Sequence, residues 1–325
     1  MPVRLASLMR LCLIAAALAL AGCAQTFDLQ GHRGTRGLMP ENTLAAFEHA
    51  LQIGVSTLEL DIAITADGTP VISHDPALTP AITRDATGQW IKSRGPLIKS
   101  LTLAELQRYD VGRSDPESAY GRQFPRQQAR DGQRIPTLAS LFQLVNEIGA
   151  DKVRFDIETK VFPNAPDETL SPEAFVDRLL PVIRQFGMTR RAMIQSFDWR
   201  TLRLVQQLEP AIETVYLSAQ TPNTDTVRDG SWTAGMLRKD HASVAHMVKA
   251  SGGRTWAPLF TNLDKAAIQT AHTLCIKVIP WTVNEAADMD RLIAWGVDGI
   301  ISDYPDRVRE AMARAGLALP PAVKR

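Results

Sequence analysis

Between Gly31 and Asp75 the chain sets two histidines around two carboxylates and a guanidinium: His32-Arg33-Gly34, Pro40-Glu41-Asn42-Thr43, Glu59-Leu60-Asp61 and His74-Asp75. Glu59 and Asp61 stand two apart in the run Thr57 to Ile64, which reads as a strand, so their side chains point to one face. Like charges buried together are costly unless a cation lies between them or a proton is retained, and a hard divalent metal is the economical explanation. The other reading leaves both acids solvated on the polar face of an edge strand. A second alternation, Phe155-Asp156-Ile157-Glu158-Thr159-Lys160, puts Asp156, Glu158 and Lys160 on one face of another short strand. Glu158 would complete a ligand set made only of oxygens, which favours Ca²⁺ or Mg²⁺ over Zn²⁺. Lys160 is a natural counter-charge for a phosphate, with a salt bridge to Asp156 or Glu158 as its alternative. Asp156 is expected one layer deeper, orienting ligands rather than binding.

His32 and His74 each follow an expected strand and supply proton transfer near neutral pH on either side of a displacement at phosphorus. Arg33 offers a planar fork to phosphate oxygens, and Gly34 and Gly37 relax the backbone beside it. Together these residues make a kit for cleaving a phosphodiester.

The same residues carry a resemblance to the glycerophosphodiester phosphodiesterase family. Further matching pieces are Arg134-Ile135-Pro136-Thr137-Leu138, Gln195-Ser196-Phe197, Trp281-Thr282-Val283-Asn284 and the run from Gly296 to Pro305. The resemblance spans residues 27 to 310 in order. It implies that Glu59, Asp61 and Glu158 bind a divalent metal, that His32 and His74 are the catalytic acid/base pair, and that Arg33 and Lys160 grip the phosphate. It also implies that Trp281 lines the glycerol pocket. Glu41 is expected just behind the groups that touch the substrate, and Asn42 reads as the N-cap of a helix with the apolar face Leu44, Phe47, Ala50 and Leu51. Two departures from the family pattern stand out: Ser302 in place of Thr, and Gln30-Gly31 in place of apolar residues, where Gly31 is expected to loosen the setting of His32. The implied reaction is metal-dependent hydrolysis of a small glycerophosphodiester to sn-glycerol 3-phosphate and an alcohol. Rival readings are a lysophospholipase D or phospholipase C on lipid substrates, and a lipoprotein that binds phosphodiesters without cleaving them.

Short strands alternate with amphipathic runs: Phe27 to Gln30, Thr57 to Ile64, Val153 to Ile157, Ala192 to Gln195, Thr214 to Leu217, Thr255 to Leu259, Ile276 to Trp281 and Gly299 to Ser302. Helices are expected at Ala174 to Gln185, with Ser171 as N-cap and Pro172 opening the first turn, and at Trp199 to Leu208, Ala266 to Thr273 and Glu285 to Ala294. This rhythm argues for an α/β fold with a parallel sheet. It does not separate a closed barrel from an open sheet, and the resemblance implies a (β/α)₈ TIM barrel with its site at the carboxyl ends of the strands. Residues 76–136 break the rhythm and read as an insertion between the second and third strands, with one short helix, Leu103 to Arg108, capped by Thr102 and Glu105. Ser218 to Asp240 is a second long polar stretch, either a pocket wall or a mobile loop.

Arg4 and Arg10 precede the apolar run Leu11 to Leu20, then Leu20-Ala21-Gly22-Cys23. This reads as a lipoprotein signal peptide over residues 1–22, with Cys23 lipidated and residues 23–26 a short tether. The enzyme domain is then 27–315, followed by a tail at 316–325. The expected address is the periplasmic side of the bacterial envelope, held by lipid, with Ala24 pointing to the outer membrane. Loss of the leader removes Arg4 and Arg10 from 36 basic residues against 35 acidic ones, so no nucleic-acid surface is expected, and no obligate protein partner is evident. Cys12 leaves with it, which strands Cys275 in an apolar helix-to-strand junction without a disulfide partner. His49, His241, His246 and His272 are read as ordinary surface or structural residues.

Overall fold

A computed structural model describes residues 26–323. The proposed leader and the lipidation residue Cys23 lie outside the described residues. Nine strands form one sheet: β1 (Asp28–Gly31), β2 (Thr57–Ile64), β3 (Pro70–Ile72), β4 (Arg154–Thr159), β5 (Ala192–Ser196), β6 (Glu213–Ser218), β7 (Thr255–Pro258), β8 (Lys277–Val278) and β9 (Gly299–Ser302). Eight run parallel in the order β8-β7-β6-β5-β4-β2-β1-β9, and β3 pairs antiparallel on β2. Between β8 and β9 the seam is held by Asp298 N to Val278 O (2.9 Å), Ile301 N to Pro280 O (3.0 Å) and Val283 N to Ile301 O (3.0 Å). The barrel is therefore closed, which the alternation of elements alone left open. The expected strand Ile276 to Trp281 keeps a regular ladder only over two residues, because Pro280 has no N–H to give.

The helices that cover the barrel are α1 (Leu44–Ile53), α4 (Leu138–Ile148), α5 (Pro172–Gln185), α6 (Trp199–Leu208), α7 (Val244–Ala250), α8 (Lys265–Thr273), α9 (Ala286–Trp295) and α10 (Pro305–Arg314), while α2 (Leu103–Leu106) and α3 (Ala119–Gln123) belong to the insertion. Ser171 caps α5 by accepting from Ala174 N, with Pro172 in the first turn. Every residue of β2 is buried. Leu58, Leu60 and Ile62 enter the main apolar core between sheet and helices, so the alternate residues, Glu59 and Asp61, face the barrel interior.

Two local expectations change. Thr43, not Asn42, caps α1, its Oγ1 accepting from Ala46 N at 3.2 Å. Asn42 has φ 55, a left-handed conformation that an extended N-cap position does not take. Gly31 does not loosen His32: a Cβ there would lie 2.2 Å from Gly34 O, so the missing side chain lets the loop after β1 close on itself. Gly31→Ala is expected to destabilise the fold by about 2 kcal/mol, seen as a lower midpoint in denaturant unfolding; an unchanged midpoint would contradict the close approach.

Residues 76–136 build their own small core, Leu78, Ile98, Leu106, Val111 and Ile135, seated on Ala63 and Val71. Thr102 and Glu105 form the expected capping box on α2, and α3 is a second short helix that the sequence pattern did not suggest. The stretch 218–240 packs as a wall, Trp232 standing edge-on to Phe162 and Phe197. The tail folds back on the barrel through Val323 N to Leu51 O at 3.0 Å. Cys275 sits at the junction of α8 and β8, yet it is exposed, since φ 56 turns the chain outward there. Among the described residues, no helix is long and apolar enough to cross a membrane.

Candidate active site

At the carboxyl ends of the strands, a cavity of about 260 Å³ is lined by His32, Arg33, Glu59, His74, Glu158, Lys160 and Trp281, together with Arg36, Gln195 and Phe197. Register explains the acids. Asp61 is paired in the ladder with Glu158, and Glu59 with Asp156. Glu59, Asp61 and Glu158 bring carboxylate oxygens within 4.8 Å of one another, all three buried. Glu59 is held from one loop and one strand: Arg33 N donates to Oε2 at 2.7 Å and Gln195 Nε2 to Oε1 at 2.7 Å. Asp61 Oδ2 accepts from Asn42 Nδ2 at 2.9 Å and lies 3.2 Å from Arg33 Nε. Asn42 thus does better chemistry than capping; its left-handed turn aims an amide at the acid.

Asp156 does not join them. It is wholly buried in the layer beneath, where Asp28, Arg154 and Glu213 are its charged neighbours, and burial pushes its carboxyl well above the usual range. Neither of its oxygens has a hydrogen-bond partner among the described residues. The expectation that it orients the acids is corrected on that ground: Asp156 stands opposite Glu59 in the ladder, yet no hydrogen bond joins its carboxyl to Glu59, Asp61 or Glu158.

Electrostatics favour a cation among the three acids. Burial, with Asp61 nearby, pushes Glu59 well above its usual value, and burial carries Glu158 to about 7 although Lys160 opposes it. Burial acts on Asp61 in the same sense, but Arg33, His74 and Lys160 outweigh it and hold Asp61 low. Asp61 Oδ1 is buried without a hydrogen-bond partner. Two carboxyls pushed up by burial and neighbouring negative charge, and one orphaned oxygen, all within 4.8 Å of one another, fit a divalent ion that would offset that charge. Lys160 Nζ pairs with Glu158 Oε1 at 2.8 Å and stands 3.7 Å from Asp61 Oδ1, not with Asp156.

His32 is set by a residue that the motif readings left without a role. Asp303, following β9, accepts from His32 Nδ1 at 2.7 Å, which leaves Nε2 as the basic nitrogen, 3.9 Å from Glu59 Oε2. Arg36 clasps both oxygens of Asp303 at 2.7 and 3.0 Å, and Asn284 Nδ2 donates to Oδ2 at 2.7 Å. Burial, reinforced by Arg36, lowers His32 to about 4. His74 is lowered too, by burial and then Arg33, and its Nδ1 meets Asp75 Oδ1 at 2.9 Å. Glu41 lies behind Arg33, accepting from NH1 at 2.9 Å. Trp281 is fixed by its indole donating to Ala257 O at 2.9 Å and stands edge-on to Phe197. Gln195 and Asp303 lay in pieces that carried the resemblance but were given no role there, and for Arg36 the legible signal was its place five residues after the end of β1.

The model of the Glycerophosphoryl diester phosphodiesterase family matches residues 32–307. The chain belongs to that family. It is 28% identical over 285 residues to a glycerophosphodiester phosphodiesterase of Caldanaerobacter subterraneus subsp. tengcongensis, covering 88% of this chain and 97% of that one. A solved structure from Silicibacter pomeroyi DSS-3 has TM-score 0.82 at 34% identity, covering 91% of this chain and 96% of that one. An Oleispira antarctica phosphodiesterase, solved in complex with the product sn-glycerol-3-phosphate, shares the fold at TM-score 0.65 and 23% identity, over 88% and 96% of the chains. The family member described here is a phosphoric diester hydrolase acting on glycerophosphodiesters, on a (β/α)₈ barrel.

Proposed function

We propose that this enzyme hydrolyses small glycerophosphodiesters to sn-glycerol 3-phosphate and an alcohol, with His32 and His74 as the acid/base pair and Glu59, Asp61 and Glu158 holding Ca²⁺ or Mg²⁺. The observation that carries the reading is the meeting of those three acids within 4.8 Å, with Glu59 and Glu158 lining the cavity that His32 and His74 also line. A bound divalent ion would supply charge neutralisation at the phosphate and a lowered pKa for the attacking group, either water itself or a glycerol hydroxyl whose cyclic phosphate water then opens. Arg33 and Lys160 flank the phosphate, and Trp281 closes on the glycerol. His32, neutral at pH 7, accepts a proton at Nε2, and the imidazolium that forms is stabilised by Asp303. The negative phosphate raises the affinity of His74 for a proton, which it passes to the leaving alkoxide.

Small substrates are favoured over intact lipids because His32, Arg33, Arg36, His74 and Lys160 crowd a cavity of only about 260 Å³ with charged and polar groups. The exposed large hydrophobic side chains among the described residues are Leu208 and Leu319, neither lining the cavity. We further read the enzyme as a periplasmic lipoprotein tethered through Cys23.

The test is product analysis. With glycerophosphocholine and lysophosphatidylcholine offered in parallel, glycerol 3-phosphate from the first should appear at the higher kcat/KM. Faster release of lysophosphatidic acid from the second would assign the site to lipids instead, and turnover of neither would leave a binding protein.

A further inference from the structure

We propose that α3 of the insertion positions the catalytic centre through two separate arms, Tyr120 acting on Arg33 by way of Glu41 and Phe124 acting on His32 by way of Arg36 and Asp303. The inference rests on the functional reading above for what Arg33 and His32 do. In the first arm the Tyr120 hydroxyl donates to Glu41 Oε2. Glu41 Oε1 takes Arg33 NH1 at 2.9 Å, and Arg33 in turn places Nε beside Asp61 Oδ2 and its backbone N on Glu59 Oε2. In the second arm the Phe124 ring lies against the Arg36 guanidinium, 4.9 Å from ring centroid to Cζ. Arg36 grips Asp303, which holds His32 Nδ1.

Tyr120 lies in α3 and Phe124 is the residue that ends it; their rings stand 5.1 Å apart. Ser118 caps the helix by accepting from Gly121 N at 2.8 Å. The segment is then tied down on the far side, with Gln127 Nε2 on Arg36 O and Gln128 N on Leu38 O, both at 2.8 Å. Phe124 packs with Leu38 and Tyr304. Plain packing of an insertion onto a barrel calls for apolar contact alone. Here each aromatic also ends on a charged group, and each charged group leads to a different half of the site. A buried Glu41–Arg33 pair with both Glu41 oxygens engaged has one geometry to adopt, and removing the Tyr120 hydroxyl leaves a buried carboxylate oxygen unpaired.

Inorganic phosphate, titrated by calorimetry in the presence of Mg²⁺ or Ca²⁺, reads the first arm without turnover. Tyr120→Phe keeps the ring and is expected to weaken phosphate binding about tenfold, with Tm lower by a few degrees for the unpaired carboxylate oxygen. In a Glu41→Gln background the same change should add almost nothing, since the path runs through that carboxylate. Phe124→Leu is expected to lower kcat about tenfold with phosphate affinity unchanged, and Phe124→Trp, which restores a ring face to Arg36, should recover most of the loss. Equal effects of Tyr120→Phe in both backgrounds, or no effect in either, would overturn the first arm. A uniform fall in Tm, kcat and phosphate affinity for Phe124→Leu, unrescued by Trp, would overturn the second. If the wild type binds phosphate but cleaves no glycerophosphodiester, the functional reading fails while the Tyr120 titrations still decide their own question.

Discussion

Replacing His32 by Ala is expected to lower kcat/KM on glycerophosphocholine by about a hundredfold or more, with the far-UV spectrum and Tm close to wild type. The imidazole is 8% exposed and lies at the rim of the cavity rather than in the apolar core, so its loss removes chemistry more than packing. Asp303→Asn tests the same unit from behind. It keeps the shape but removes the charge that stabilises the imidazolium, and the double variant should be no slower than His32→Ala alone, because residues acting as a unit do not add. The pH profile supplies the sign. Burial holds His32 at about 4, so the base is lost only as pH falls through that low value, and the acid limb of kcat/KM assigned to it belongs well below 6.5, the ordinary histidine value. Near-native turnover of His32→Ala with metal present would remove His32 from the mechanism.

Metal removal is the second large effect. Chelation by EDTA should abolish turnover, and re-addition of Ca²⁺ and Mg²⁺ in separate titrations should show which ion restores it. Asp61→Asn should weaken metal binding about a hundredfold or more. Asp61 has Oδ1 unengaged by any hydrogen bond, and Arg33, His74 and Lys160 hold its carboxyl low against burial, so it offers the ion a charged oxygen with no competing partner. Part of the activity of Asp61→Asn should return at raised metal concentration. An unchanged metal Kd by calorimetry would show that the ion sits elsewhere.

The acids and histidines were legible because strand alternation is a short-range rule. Once Thr57 to Ile64 is a buried strand, the side to which Glu59 and Asp61 point follows from covalent geometry. Trp199 to Leu208 is bounded as its 3.6-residue pattern indicates. Asn42 was misread because Asn is common both at N-caps and in left-handed turns, and only the loop that folds Asn42 N onto Arg33 O, at 3.0 Å, selects the second. For Asp156 alternation gives the face, and only the structure shows that its carboxyl bonds to none of the three acids.

What the amino-acid order determined by itself is which residues form strands, which face each acid takes and which chemistry the set can perform, since these depend on neighbours a few positions away. Tertiary structure decided the rest. Pairing of β9 beside β1, with Ser302 opposite Gly31, brings Asp303 to His32 across 271 positions of chain, and docking of the insertion brings Tyr120 to Glu41 across 79. Contacts of that span come from the packing of whole elements, so no local pattern announces them.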